Sequence, residues 1–148
     1  RRSIIKQSCE AHKVPLHFFE KLRMGEDFVL PSGEVIPNSE LTNQAAPARK
    51  YAYMSDTIYD PSIVPHIADV NLLYHESTFL HELAARAKET YHSTSKQAGE
   101  IAKMANVKKL LLGHFSSRYN EVNELLEEAK LEFENTDIAE EGHTYTIN

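Results

Sequence analysis

Four short segments of this 148-residue chain carry side chains able to do chemistry: Ser55-Asp56-Thr57, His75-Glu76-Ser77-Thr78, Tyr91-His92-Ser93-Thr94 and Gly113-His114-Phe115-Ser116-Ser117-Arg118-Tyr119. An aspartate and an imidazole are good ligands for a hard or borderline divalent ion, zinc above all, and Asp56 and His114 are the candidates. Two ligands fall short of the roughly three that a catalytic zinc takes from protein. No H-x-H or H-x-x-x-H pair elsewhere in the chain completes the set. His92 stands just before a capped helix start, where backbone N–H groups and the positive end of the helix dipole favour an anion such as phosphate. An imidazole there can touch the same anion and move a proton near neutral pH. Taken singly, each residue also has a plainer reading. Asp56, Ser116 and Ser117 suit turns, His75 a structural histidine, Glu76 a first-turn helix acid and His92 a capping neighbour. The joint placement of Asp56, His92 and His114 is what points to a site.

The elements that must position these residues begin at Lys50. KYAYM, VNLLY and KKLLL read as three strands, the last with the apolarity of a strand buried on both faces. Asp60-Pro61 supplies a cap and a first-turn proline for a short helix to about Ile67. Leu80, Leu83, Ala84 and Ala87 recur at helical spacing, and Thr94 with Gln97 forms a capping box opening a helix through SKQAGEIAKMA. VNELLEEAKLEFE is amphipathic, with Val122, Leu125, Leu126, Ala129 and Phe133 inward, and HTYTI alternates as a last strand. Strands alternating with helices predict an α/β layer architecture. The reactive clusters then fall after strand ends, the rim where such sheets bind ligands.

The first fifty residues read differently. IIKQSCEAHK and PLHFFEKLRM suit short helices, the second with Pro15 in its first turn, EDFVLPSGEVI a hairpin turning at Pro31-Ser32-Gly33, and NSELTNQAAPAR a connecting loop. Composition fits one ordinary globular domain, with 41% hydrophobic and 26% charged residues. No apolar run could span a bilayer, and no signal segment opens the chain. A single cysteine, Cys9, excludes an internal disulfide framework and fits a reducing compartment, hence a cytoplasmic protein. The net charge of −6 is uneven: residues 121–148 hold nine acids against Lys130 alone, a solvated helix face by its pattern. The rest of the chain carries a small positive balance and can meet a polyanion through a local patch. The first residue is Arg1 rather than methionine, which suggests a piece of a longer polypeptide.

In their order and spacing, SDT, HEST, YHST and GHFSSRY resemble the C-terminal half of the ribonuclease Z family, tRNA 3′-processing endonucleases of the metallo-β-lactamase superfamily. HEST departs by one residue, Ser77, from that family's usual H-E-A-T. The resemblance runs from about Pro15 to the end. It implies an α/β fold: the C-terminal half of a metallo-β-lactamase-like αβ/βα sandwich, incomplete without its N-terminal half. Residues 1–49 would form a helical and hairpin segment following the tRNA-binding arm, and residues 50–148 the βα half of the domain.

The resemblance also implies roles. Asp56 corresponds to the carboxylate bridging two zinc ions and His114 to a ligand of one of them. His92 corresponds to the histidine that contacts the scissile phosphate and donates a proton to the leaving group, with Glu76 its acidic partner. Ser116, Ser117 and Arg118 are phosphate contacts by position and chemistry. The implied substrate is precursor tRNA, the implied assembly a homodimer, with no membrane partner. The family's H-x-H-x-D-H motif, a further histidine ligand and the tRNA-gripping arm are absent from this sequence, which accounts for the ligand deficit and leaves the isolated chain expected to be inactive. Two rivals stand beside this reading: another hydrolase of the superfamily acting on a thioester, a lactam or a cyclic phosphodiester, and a non-catalytic, self-associating fragment.

Overall fold

In the computed structural model, residues 1–147 are described. The chain divides into two compact units, Arg1–Ala48 and Arg49–Asn148.

In the first unit the order is β1 (Ser3–Ile4), α1 (Lys6–Ala11), a 3₁₀ turn (Leu16–Phe18), α2 (Phe19–Met24), β2 (Phe28–Val29), β3 (Val35–Ile36), α3 (Asn38–Leu41) and β4 (Thr42–Asn43). Pro15 sits in extended backbone immediately before the 3₁₀ turn rather than in its first turn. Cys9, Val14, Leu22, Phe28, Ile36 and Leu41 form its small core. β2 and β3 make the hairpin expected around Gly33, whose left-handed backbone closes the turn. The segment NSELTN is not the loop its polarity suggests. It forms one helical turn and then β4, which pairs antiparallel with β1. Asn38 explains this, because it is buried and fully used. Its amide donates to the carbonyls of Leu22 (2.9 Å) and Glu26 (2.8 Å), and its oxygen accepts from the Thr42 hydroxyl at 2.7 Å. A polar residue with every bond satisfied inside costs little to bury.

The second unit is built on a four-stranded parallel sheet, β5 (Tyr51–Met54), β6 (Leu72–Glu76), β7 (Leu110–Gly113) and β8 (Thr136–Ile138), in spatial order β5-β6-β7-β8. A 3₁₀ helix (Pro61–His66), capped by Asp60, leads toward β6, and α4 (Ala84–Glu89) and α5 (Ser95–Met104) follow it. α6 (Asn123–Glu132) connects β7 to β8. Leu73, Leu110 and Leu112 share one sheet face, and Ala98, Ile101, Ala102 and Ala129 of α5 and α6 pack into the same core. Full burial of such leucines contributes about 1.5–3 kcal/mol each. The two helices approach closely at Gly99, where a Cβ would stand 2.7 Å from the Ala129 carbonyl oxygen. Tyr51 and Tyr53 alternate onto the other face, 50% and 61% exposed, with Tyr53 stacked on Tyr74 at 4.6 Å.

Three expectations are corrected here. β6 does not stop at Tyr74 but continues through His75 and Glu76, because both keep parallel register with Leu112 and Gly113. The last strand is Thr136–Ile138 and not HTYTI, which is irregular. Within HTYTI, the Tyr145 hydroxyl donates to the Ile138 carbonyl (2.9 Å) and accepts from the Glu140 N–H (2.8 Å), so this residue secures the segment through its side chain. The acidic run is not wholly a solvated face. Glu132 meets Lys103 at 3.8 Å, Asp137 meets Lys109 at 2.5 Å, and Glu128 accepts from the N–H groups of His81 and Lys96 and from the Ser95 hydroxyl.

Candidate active site

The parallel register carries β5, β6 and β7 to a common end, and the polar clusters gather there. Asp56 follows β5 and His114 follows β7, each in left-handed backbone with φ of 50° and 57°. Non-glycine residues adopt this conformation uncommonly, aspartate and histidine more readily than most. Gly113 lies under the Tyr74 ring, in space that a Cβ would need, and that ring is itself held by its stack on Tyr53.

Glu76 is the hub. It is completely buried, and its carboxylate accepts from the Thr57 N–H (2.5 Å), the Ser93 N–H (2.9 Å) and the Thr78 hydroxyl (2.7 Å). His92 Nδ1 lies 3.1–3.2 Å from both carboxylate oxygens, so it carries a hydrogen and donates to them. One buried carboxylate therefore ties together the segments after β5, after β6 and before α5. The Ser93 hydroxyl adds a bond to the Thr57 carbonyl at 2.8 Å. On the other side of Ser93, the Thr94–Gln97 capping box fixes the start of α5.

The hydrogen-bond network also orients the His114 ring. Thr78 has one hydroxyl hydrogen, and its strongest acceptor is the Glu76 carboxylate. The Thr78 oxygen, 3.0 Å from His114 Nδ1, then accepts from that nitrogen. His114 Nε2 faces an Asp56 carboxylate oxygen at 3.2 Å. Two donors on a tetrahedral zinc, at about 2.0–2.2 Å each, lie roughly 3.3 Å apart, so this pair fits a metal. His92 joins them: donor atoms of Asp56, His92 and His114 all lie within 4.8 Å of one another, and the two imidazole rings are 5.2 Å apart.

The other predicted residues sit at the margin. The Ser116 N–H donates to the Thr78 carbonyl at 3.1 Å, Arg118 Nε donates to the Ser116 hydroxyl at 3.2 Å, and the guanidinium lies 4.9 Å over the Phe79 ring. Ser117 and Arg118 are exposed. His75 is buried, and its Nδ1–H donates to the Glu76 carbonyl at 2.7 Å. Burial holds this imidazole below the ordinary histidine range, outweighing the Glu76 carbonyl and carboxylate that favour its charged form. The Ser77 hydroxyl oxygen is buried and has no hydrogen-bond partner among the described residues. Sequence reasoning missed Thr78 as the residue orienting His114, although it stands two residues from Glu76 on the same side of the extended chain, a spacing that could have flagged it.

No family model matches the chain. Against solved structures it resembles a metallo-β-lactamase fold protein, YhfI of Bacillus subtilis, with a TM-score of 0.62 and 29% identity, covering 67% of this chain and 40% of that one. The sheet, its order and the site at its carboxyl end thus define the C-terminal α/β part of a metallo-β-lactamase fold. Among curated proteins the chain is similar to ribonuclease Z: 50% identical to that of Bacteroides thetaiotaomicron over 145 residues, 98% of this chain and 46% of that protein. The ribonuclease Z of Parabacteroides distasonis is also 50% identical, over 97% of this chain and 47% of its own length. The chain spans about half the length of the curated relatives it matches, their C-terminal half.

Proposed function

We propose that this chain is the C-terminal half of a zinc-dependent endoribonuclease that removes the 3′ trailer from precursor tRNA. The observation that carries it is His114 Nε2 facing Asp56 at 3.2 Å beside a His92–Glu76 pair, an edge that can hold metal adjoining an acid–base edge. Asp56 and His114 would hold zinc, two ions per assembled site, with the remaining ligands supplied from outside these residues. Bound zinc supplies a nucleophile near neutral pH and offsets the charge developing on the phosphate. His92, oriented by Glu76, presents Nε2 to the leaving ribose oxygen. The phosphorus–oxygen bond to that ribose breaks as a water oxygen bonds to phosphorus. The leaving oxygen takes the His92 proton, and a proton from the water, passed through solvent, restores it. Arg118, with Ser116 and Ser117, would steady the phosphate. The assembled enzyme is proposed to be a cytoplasmic homodimer, and the isolated chain to be inactive and self-associating.

A second reading comes from the three-donor cluster: His92 ligates the metal with Asp56 and His114, meeting the three-ligand count of a catalytic zinc. One experiment separates the two. In a polypeptide of ribonuclease Z length carrying these residues, zinc content and single-turnover cleavage of a trailer-bearing precursor tRNA are measured for His92→Ala and His114→Ala. On the proposed reading His92→Ala keeps zinc and loses roughly 10²-fold or more in rate, whereas His114→Ala loses both. Zinc loss in His92→Ala equal to that in His114→Ala establishes the second reading. Turnover of a thioester, lactam or cyclic phosphodiester in place of precursor tRNA would overturn the substrate assignment.

A further inference from the structure

Beside the cluster lies a cavity of about 410 Å³ lined by Tyr59, Ala84, Ala85, Lys88, His92 and Gln97 together with Ile58. Its size falls within the roughly 300–1,000 Å³ of small-molecule sites. Its walls are chemically sorted. Ala84 and Ala85 give α4 a stretch of methyl groups, and Lys88 stands one turn beyond Ala84 on the same helix side. Tyr59 adds an aromatic ring whose hydroxyl is engaged by Glu100, and burial raises that phenol above the usual tyrosine range, so it stays neutral. Gln97 uses its amide oxygen on the Thr94 N–H at 3.0 Å, which leaves its NH₂ group as a donor.

Among the described residues, His92 alone belongs to both the candidate metal cluster and this cavity. In an in-line displacement the attacking and leaving oxygens stand on opposite sides of phosphorus. Whatever carries the oxygen protonated by His92 therefore lies on the His92 side. We infer that the cavity seats the nucleoside whose 3′ oxygen leaves, with its ribose at His92, its base against Tyr59 and the Ala84–Ala85 wall, and its 5′ phosphate at the Lys88 ammonium. This rests on the role proposed for His92. It adds that the site grips the RNA upstream of the cut as a single nucleotide, through stacking and one cation, in the way that sequence-tolerant single-strand sites do.

The test is a binding measurement without cleavage or metal, so its failure is distinguishable from failure of the nuclease assignment. Adenosine 5′-monophosphate, adenosine and inorganic phosphate are titrated separately into the ¹⁵N-labelled chain. The nucleotide should shift the amides of Tyr59, Ala84, Ala85, Lys88 and His92, and phosphate alone should leave Tyr59, Ala84 and Ala85 unmoved. Ala85→Trp, at an exposed helix position, fills the cavity and should weaken the nucleotide roughly tenfold or more. Lys88→Glu, also exposed, should weaken the nucleotide while leaving adenosine unchanged. Nucleotide shifts confined to residues that phosphate also moves, or undiminished nucleotide affinity in Ala85→Trp, would overturn the assignment.

Discussion

Replacing Glu76 by glutamine should damage the fold as well as any chemistry. The carboxylate faces donors only: the Thr57 N–H and His92 Nδ1 at one oxygen, and the Ser93 N–H, the Thr78 hydroxyl and His92 Nδ1 at the other. Glutamine keeps one acceptor oxygen and puts an NH₂ group in place of the second. In its better orientation the amide nitrogen takes the place nearer Thr57, so the Thr57 N–H loses its 2.5 Å partner and meets another donor. A buried donor left without its acceptor costs about 1–3 kcal/mol, and the surviving bonds weaken because the acceptor has lost its charge. The combined loss is about 2–4 kcal/mol. For a chain of this size that lowers the melting midpoint by roughly 5–15 °C. Thermal and urea unfolding of the 148-residue chain, followed by circular dichroism, measures it. His92→Ala provides the contrast: it removes one donor from an acceptor that keeps three others, and should move the midpoint far less. A Glu76→Gln midpoint within a degree or two of the parent would show that Glu76 does not hold the three segments together.

Ser77→Ala should raise stability by about 1 kcal/mol, since it deletes a buried hydroxyl with no partner among the described residues and leaves the rest of the residue in place; a lowered unfolding midpoint would reveal a bond that the hydroxyl makes. His75 binds its proton less readily folded than unfolded, so its contribution is constant above the unfolded value of about 6.5 and is lost as pH falls below it, at up to ~1.4 kcal/mol per pH unit. His75→Asn should flatten that acid limb in unfolding curves taken from pH 8 to pH 5, and an unchanged slope would refute the buried neutral imidazole. The isolated chain should bind zinc weakly, and Asp56→Ala or His114→Ala should abolish the binding seen by calorimetry; tight stoichiometric zinc surviving either change would place the metal elsewhere.

What could be read from sequence followed the strength of the local signal. KKLLL and the Thr94–Gln97 box announced β7 and the start of α5, because an apolar run and a cap are each specified by adjacent residues. Asp56, His92 and His114 stood out by residue type at the ends of elements, and the structure brings them within 4.8 Å of one another. The burial of Glu76 was illegible. A charged residue after VNLLY looks like the end of a strand, and only the register with Gly113 and donors from three separate segments keep it inside. Glu128 was hidden the same way, one acid among many on a helix whose pattern says solvent, although its partners lie more than thirty residues earlier. HTYTI misled because alternating β-branched and aromatic residues fit a strand, whereas Thr136-Asp137-Ile138, only three residues long and broken by an aspartate, takes the free edge of β7.

Asp56 and His114 both occupy a backbone region that costs an ordinary residue about 1 kcal/mol or more, and glycine almost nothing. Selection for a sturdier molecule and selection for a working one therefore pull in opposite directions at these two positions. Glycine at 56 or 114 would relax the turn while removing a side chain proposed to hold metal, so an easy backbone and a metal-holding edge make opposite demands on the same two positions.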